Sequence, residues 1–412
     1  MTAAPYEPRP TSDGVPRAIY DDVPSRAIAI QLPAVMTPYA RSLVRWRPTC
    51  EITVLREGAE TFPAMLEALA AATKSILLEV YILAGDAAGE QFRKVLLERA
   101  RAGIAVRVMY DAVGSFGIAN AWFDELREAG VEVHAFNPIA IWRRKYRLSH
   151  RDHRKILVVD DSVAFTGGLN IADDYAPAEQ GGKGWHDMHC RVRGPAVLDL
   201  SRLFRRTWLA IGGKTYAAPP RASDAPPGPG TSYARVIENT KRRQRGAFRR
   251  TYLHVIKQAR DAVLIENAYF LPERSVRRAL ARAVRRGVKV SIIVPGHSDV
   301  KMVEYASDYV LRRLAKRGVE ILRWQGSMMH AKTAVVDGMW STIGSYNFDA
   351  QSRLNNLEVT VEILDPAVGN EMVAEFAESR VNCVQYDEAA WLRLPWYRKV
   401  LAWVGYRLRR FL

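Results

Sequence analysis

Cysteine is scarce in this chain of 412 residues, with only Cys50, Cys190 and Cys383. An odd number set so far apart supports no disulfide framework and suggests free thiols in a reducing compartment. No run of 18 or more apolar residues occurs, so no segment reads as a membrane-spanning helix. Residues 1–48 carry scattered prolines and charges but no apolar signal-peptide core, which makes a cytoplasmic location the expectation. Acidic residues are in deficit, since 44 Asp and Glu against 60 Lys and Arg leave a net charge of +16. That balance implies an anionic partner without separating nucleic acid from acidic lipid. Zinc-type H-E-x-x-H and paired cysteines are also missing. His150-Arg-Asp-His153 and His186-Asp-Met-His189 have ligand-like spacing, but positions i and i+3 of a strand face opposite sides, so these pairs should diverge and no metal or other cofactor is expected.

What is present is a folded composition, 48% hydrophobic and 25% charged, on a chain long enough for two similar domains. Two stretches match in register. His153-Arg-Lys155-Ile-Leu-Val-Val-Asp160 is followed by Gly167-Gly168-Leu-Asn170, and His330-Ala-Lys332-Thr-Ala-Val-Val-Asp337 by Gly344-Ser345-Tyr-Asn347. Five positions share one offset of 177 (330 − 153), which marks the duplication of a whole unit. The β-branched run in each copy reads as a buried strand, and i and i+2 on a strand share a face, so each histidine projects beside its lysine. The glycine turn after the next short strand lets backbone and an Asn amide approach a ligand closely. Imidazole, ammonium and amide then converge as an oxyanion requires.

These residues resemble the paired HxKxxxxD motifs of the phospholipase D superfamily, and 344–352 resembles its cardiolipin synthase branch, in the shorter form without amino-terminal membrane spans. The likeness extends over most of residues 50–385. It implies an α/β fold of two similar phospholipase D-type domains, each a mixed, largely parallel sheet flanked by helices, with the active site at their interface. It further implies catalysis by His153, Lys155, Asp160, His330, Lys332 and Asp337, with His153 as nucleophile and His330 as general acid and base. The motif acids Asp160 and Asp337 sit at strand ends and are expected to be more structural than catalytic. Asn170, Asn347 and the Ser345 hydroxyl are expected on the substrate phosphate, although Gly168 at the position of Ser345 leaves one half without that hydroxyl. Family carboxylates about thirty residues after each motif histidine correspond to Asp187 and Glu358, at 34 (187 − 153) and 28 (358 − 330) residues, and should orient the imidazoles.

The chain divides into an arm at 1–48, poorly structured or loosely docked; a first domain at 49–213; a linker at 214–232, rich in proline; a second domain at 233–385; and a tail at 386–412. Patterning predicts β-α-β-α-β over 51–110, a helix over 119–129 and a strand over 131–136. The second half predicts helices at 248–260, 273–286 and 301–316 alternating with strands at 262–268, 288–294 and 319–323. Residues 142–147, Trp-Arg-Arg-Lys-Tyr-Arg, form a basic-aromatic insert without counterpart, and 241–250 packs six cations into ten residues; both are candidate contacts for an anionic surface. In the tail, Tyr397, Val400, Leu401, Val404, Leu408 and Phe411 fall on one helical side among six cations and no acid from 389 to 412, the pattern of an interfacial helix. The function that the resemblance implies is phosphatidyl transfer between two phosphatidylglycerol molecules through a phosphohistidine, on anionic phospholipid at a bacterial membrane surface, at its cytoplasmic face, with no nucleic acid as partner. Hydrolysis by a phospholipase D, a nuclease, and a binding module with vestigial motifs are the alternatives.

Overall fold

The computed structural model describes residues 30–138, 149–240, 244–298 and 300–409. The insert at 142–147, the start of the basic run and Phe411 lie outside them. The first half runs β1 (Arg47–Arg56), α1 (Glu57–Ala70), β2 (Ser75–Val80), α2 (Ala87–Arg101), β3 (Ala105–Asp111), α3 (Asn120–Glu128), β4 (Glu132–Phe136), β5 (Ile156–Val159), β6 (Val163–Gly167), β7 (Met188–Arg193) and α4 (Ala196–Ala210). The second runs β8 (Ser232–Glu238), α5 (Ala247–Gln258), β9 (Ala262–Asn267), α6 (Arg274–Arg285), β10 (Lys289–Pro295), α7 (Lys301–Ala315), β11 (Glu320–Trp324), β12 (Lys332–Val336), β13 (Trp340–Gly344), α8 (Ala350–Leu354), β14 (Val359–Leu364) and α9 (Pro366–Val381). β15 (Cys383–Gln385), α10 (Glu388–Arg393) and α11 (Trp396–Leu408) complete the chain. The stretch between α4 and β8 holds neither helix nor strand, in keeping with its prolines.

All strands join one sheet of 15, ordered β15-β11-β10-β9-β12-β13-β14-β8-β1-β7-β6-β5-β2-β3-β4. Counted outward from the central β8–β1 pair, the two halves have the same strand order. The parallel pairings are confined to β2-β3-β4 and β9-β10-β11, where helices make the crossovers. The middle is antiparallel, against the expectation of a largely parallel sheet, because β5–β6 and β12–β13 are hairpins whose short turns permit no other pairing. α4 and α9 cover the centre, and Phe204, Trp208, Met372 and Phe376 there belong to one core drawn from both halves. α1 starts at Glu57, with its first turn against the Tyr175 carbonyl, where a Cβ on Gly58 would lie 1.9 Å from that oxygen.

Two terminal expectations change. Residues 30–46 are docked, not loose: Leu32, Tyr39 and Trp46 supply apolar surface that is buried in the core of the second half. In the tail, α11 packs on α7 through Ala402, Gly405 and Tyr406, with Gly405 close enough that a Cβ would lie 3.2 Å from the Ala306 nitrogen. The helix thus has a protein face, and its other side leaves Trp396, Tyr397, Val400 and Trp403 exposed.

Candidate active site

The antiparallel pairing of β5 with β2 and of β12 with β9 sets the start of each motif strand beside the carboxyl end of a parallel strand, where open α/β sheets bind ligands. His153 and Lys155 stand at one such start, His330 and Lys332 at the other. The imidazole rings face each other across the halves, with centroids 6.5 Å apart at 72°.

Each histidine is oriented by the opposite half. His153 Nδ1 lies 3.2 Å from Glu358 Oε2, and His330 Nδ1 lies 2.7 Å from Asp187 Oδ2. The backbone enforces the crossing, since His153 N donates to Leu357 O at 3.0 Å and His330 N to His186 O at 2.7 Å. All four side chains are buried. With Nδ1 engaged, Nε2 is the reactive nitrogen of each ring.

The lysines complete a dense positive cluster. Lys155 Nζ donates to His153 O at 2.7 Å; Lys332 Nζ donates to His330 O and lies 2.7 Å from His330 Nδ1 and 3.5 Å from Asp187 Oδ2. Burial, then repulsion from Lys332, brings Lys155 down to about 7. Burial and then Lys332 likewise bring His330 down to about 4, and burial with Lys155 lowers His153. Asp187 and Glu358 are held below the usual carboxylate range; burial opposes this, but Lys332 and His153 respectively outweigh it. Burial thus favours neutral imidazoles, the cationic neighbours favour ionised carboxylates, and Lys155 titrates near neutrality.

The two asparagines differ. Asn170 is engaged by protein, its Oδ1 accepting from Ile82 N at 3.1 Å and its Nδ2 donating to Tyr175 Oη at 2.9 Å. Asn347 is equally buried, yet its Oδ1 has no partner. The Ser345 hydroxyl donates to Glu358. At the matching Gly168 a Cβ would stand 2.0 Å from Asp187 Oδ1, so glycine is what lets Asp187 come in. Asp160 and Asp337 leave the catalytic set, since they lie at the far ends of β5 and β12, roughly 16 Å of strand from the lysines. Asp160 accepts from the backbone N–H groups of Thr73, Lys74 and Ser75 at 2.7–2.8 Å, and these bonds lower its pKa against a burial penalty. Asp337 repeats this with Arg260, Asp261 and Ala262 at 2.8–2.9 Å, and adds the Tyr39 hydroxyl at 2.8 Å.

Sequence reasoning missed the aromatic frame. Tyr175 Oη is 3.0 Å from His330 Nδ1. Trp185 and Tyr269 ring centroids lie 5.9 and 6.2 Å from that imidazole, and the Tyr81 centroid lies 4.9 Å from His153. Only the chain position of Tyr175, five residues after motif Asn170, hints at it. The other histidines point elsewhere. His150 meets the Asn355 carbonyl at 2.6 Å, His189 is buried and pushed down to about 3, and His186 lies between Glu57 and Glu266 at 3.1 and 3.5 Å. Among the described residues no group of three or more His, Cys, Asp or Glu could hold a metal ion.

The family model described as "Cardiolipin synthase, PLD-like domain" matches twice, over residues 65–207 and 252–380. The chain is 33% identical over 381 residues to a cardiolipin synthase of Geobacillus kaustophilus, covering 89% of this chain and 75% of the relative. It is 34% identical over 348 residues to a cardiolipin synthase of Geobacillus thermodenitrificans, covering 82% and 68%. Among solved structures, the phosphatidylserine synthase of Haemophilus influenzae superposes with a TM-score of 0.65 at 16% identity over 94% of this chain and 97% of that one, a likeness of fold. Two matched repeats, each contributing one histidine, one lysine and the carboxylate for the other's histidine, make this chain a member of the phospholipase D-like cardiolipin synthase family.

Proposed function

We propose that the protein is a cardiolipin synthase, a phosphatidyltransferase that moves a phosphatidyl group from one phosphatidylglycerol to the terminal hydroxyl of another and releases glycerol. The observation that carries this reading is the crossed pair His153–Glu358 and His330–Asp187 around a lysine-lined gap, joined to relatives named for that activity. His153 Nδ1 faces the acceptor Glu358, which keeps its proton there and the lone pair on Nε2. His330 Nδ1 faces Asp187 at 2.7 Å, with Tyr175 and Lys332 beside it, so a second proton taken up on Nε2 is stabilised by the carboxylate and His330 can serve as acid and base. His153 is then the nucleophile: its Nε2 bonds to phosphorus while the P–O bond to glycerol breaks and His330 protonates the leaving oxygen. The acceptor hydroxyl next gives its proton to His330, its oxygen bonds to phosphorus, and the P–N electron pair returns to His153. Lys155 and Lys332 offset the phosphate charge throughout.

The same reading places the enzyme on an anionic membrane surface through α11. The aromatic side left open by docking, with Trp396 76% and Trp403 50% exposed, is accompanied by Arg398, Lys399 and Arg407, a pairing suited to headgroups and interface. No helix among the described residues is long and apolar enough to cross a membrane.

Product analysis on phosphatidylglycerol vesicles tests the reaction. Cardiolipin and glycerol in equal amounts are expected, whereas phosphatidic acid alone would identify a hydrolase. With a phosphatidyl ester of p-nitrophenol, whose leaving group needs no proton, His330→Ala should still form a phosphatidyl adduct on His153, visible by intact-protein mass spectrometry, and His153→Ala none. The reverse pattern would exchange the two roles.

A further inference from the structure

The second half holds an open cleft to which the chemistry above gives no task. Tyr346 and Phe348, which flank motif Asn347 in the chain, line it together with Leu271 and Pro272. Tyr269, two residues before Leu271, is 6.2 Å from the His330 ring, so the chain runs from the site into the cleft wall. Four arginines from four segments reach it: Arg249 of α5, Arg274 of α6, Arg353 of α8 and Arg409 at the end of α11.

The cleft's charges do not balance. Glu273 pairs with Arg353 at 2.6 Å and Arg249 at 3.4 Å. Asp349 is spent on capping α8, its Oδ1 accepting from Ser352 N at 2.6 Å. Arg274 and Arg409 instead turn to Tyr406, Arg409 donating to its carbonyl at 2.7 Å, and among the described residues neither has a carboxylate within ion-pair distance. At least two guanidinium charges are therefore in excess around a concavity with one apolar wall. Guanidinium forks arriving from several directions match the oxygens of a phosphate.

We propose that this cleft holds the phosphodiester of the acceptor phospholipid. The inference rests on the transfer reaction above. The acceptor's hydroxyl oxygen bonds to phosphorus as the P–N bond breaks, while the acceptor's own phosphate, one glycerol away, stays intact among the arginines. Water carries no phosphate and gains nothing from them, so the cleft biases the adduct toward transfer over hydrolysis.

The test compares the full-length enzyme with Arg249→Gln/Arg274→Gln on phosphatidylglycerol vesicles containing labelled glycerol. Cardiolipin formation should fall about tenfold relative to label incorporation, with a matching rise of phosphatidic acid per adduct, and Arg249→Lys/Arg274→Lys should recover part of it. An unchanged product ratio, or an equal fall in both products, overturns the proposal. If the double variant does not fold, Arg409→Gln carries the same comparison. Calorimetric titration separates this from the transfer reading itself. Monomeric short-chain phosphatidylglycerol should occupy two sites in the unaltered protein and one in the double variant, even if the enzyme proved to hydrolyse its lipid. Inorganic phosphate binding the second site as tightly as the lipid would assign the cleft to free phosphate and overturn the acceptor assignment.

Discussion

Lys155 is strongly altered by its surroundings. Burial and Lys332 bring it from the ordinary lysine range to about 7, so at pH 8 it is mostly neutral. An anion bound against it favours the charged form, and phosphate binding at pH 8 should draw in close to one proton. Calorimetry in buffers of different ionisation enthalpy measures that uptake, and Lys155→Met should abolish it. The same depression makes the charged lysine a cost to folding at and below pH 7, where the unfolded chain keeps its proton at no penalty; the native state gains stability as pH rises from about 7 toward the unfolded lysine value. Lys155→Met should therefore raise the melting temperature by several degrees at pH 6.5 while eliminating turnover. His330 acts on the other side: with its folded value near 4, the unfolded chain takes up a proton first, and stability is lost as pH falls from about 6.5 toward 4. Tyr175→Phe should leave KM nearly unchanged and lower kcat about tenfold, with a shifted acid limb in the pH profile, because its hydroxyl bonds to His330 and Asn170.

Elements show where sequence patterning was sufficient and where it was not. Helices and strands of the βαβ units were legible because their apolar periods are long and regular. The motif lysines and histidines were legible because i, i+2 spacing fixes a shared face. The crossing of Asp187 and Glu358 was not, since it depends on bridges between His186 and Met329 and between Asp152 and Leu357 that bring distant segments together. The bond from Ser345 to Glu358 was not legible for a similar reason, since the two meet across neighbouring strands. Asp160 repays its place in the motif by capping three backbone N–H groups, so Asp160→Ala should cost about 1–2 kcal/mol, discounted for partial exposure, with KM unaffected; denaturant melts check this. In α11, replacing Trp396 and Trp403 with Ala should weaken vesicle binding about a hundredfold, at roughly 1.5 kcal/mol each, while Tyr406 keeps the helix docked. Co-sedimentation at low and high salt measures it; equal binding would remove the helix from the membrane contact.

At the scale of the whole molecule, duplication is visible in the constant offset, but not its result, a single sheet continuous through β1 and β8 with one core shared beneath α4 and α9. Because each half arms the other, Glu358→Gln should suppress adduct formation on His153 with any leaving group, whereas Asp187→Asn should slow both steps with phosphatidylglycerol and only adduct breakdown when the leaving group needs no proton. Quench-flow with mass spectrometry separates the two steps. The crossing also has a meaning in time. Glu358 follows His153 by 205 residues, which at about 5–20 residues per second of synthesis leaves the nucleophile without its orienting carboxylate for roughly 10–40 s. A ribosome-bound first half therefore meets lipid unarmed, and competence arrives only with a finished, correctly closed chain: the geometry of the site doubles as an assembly check.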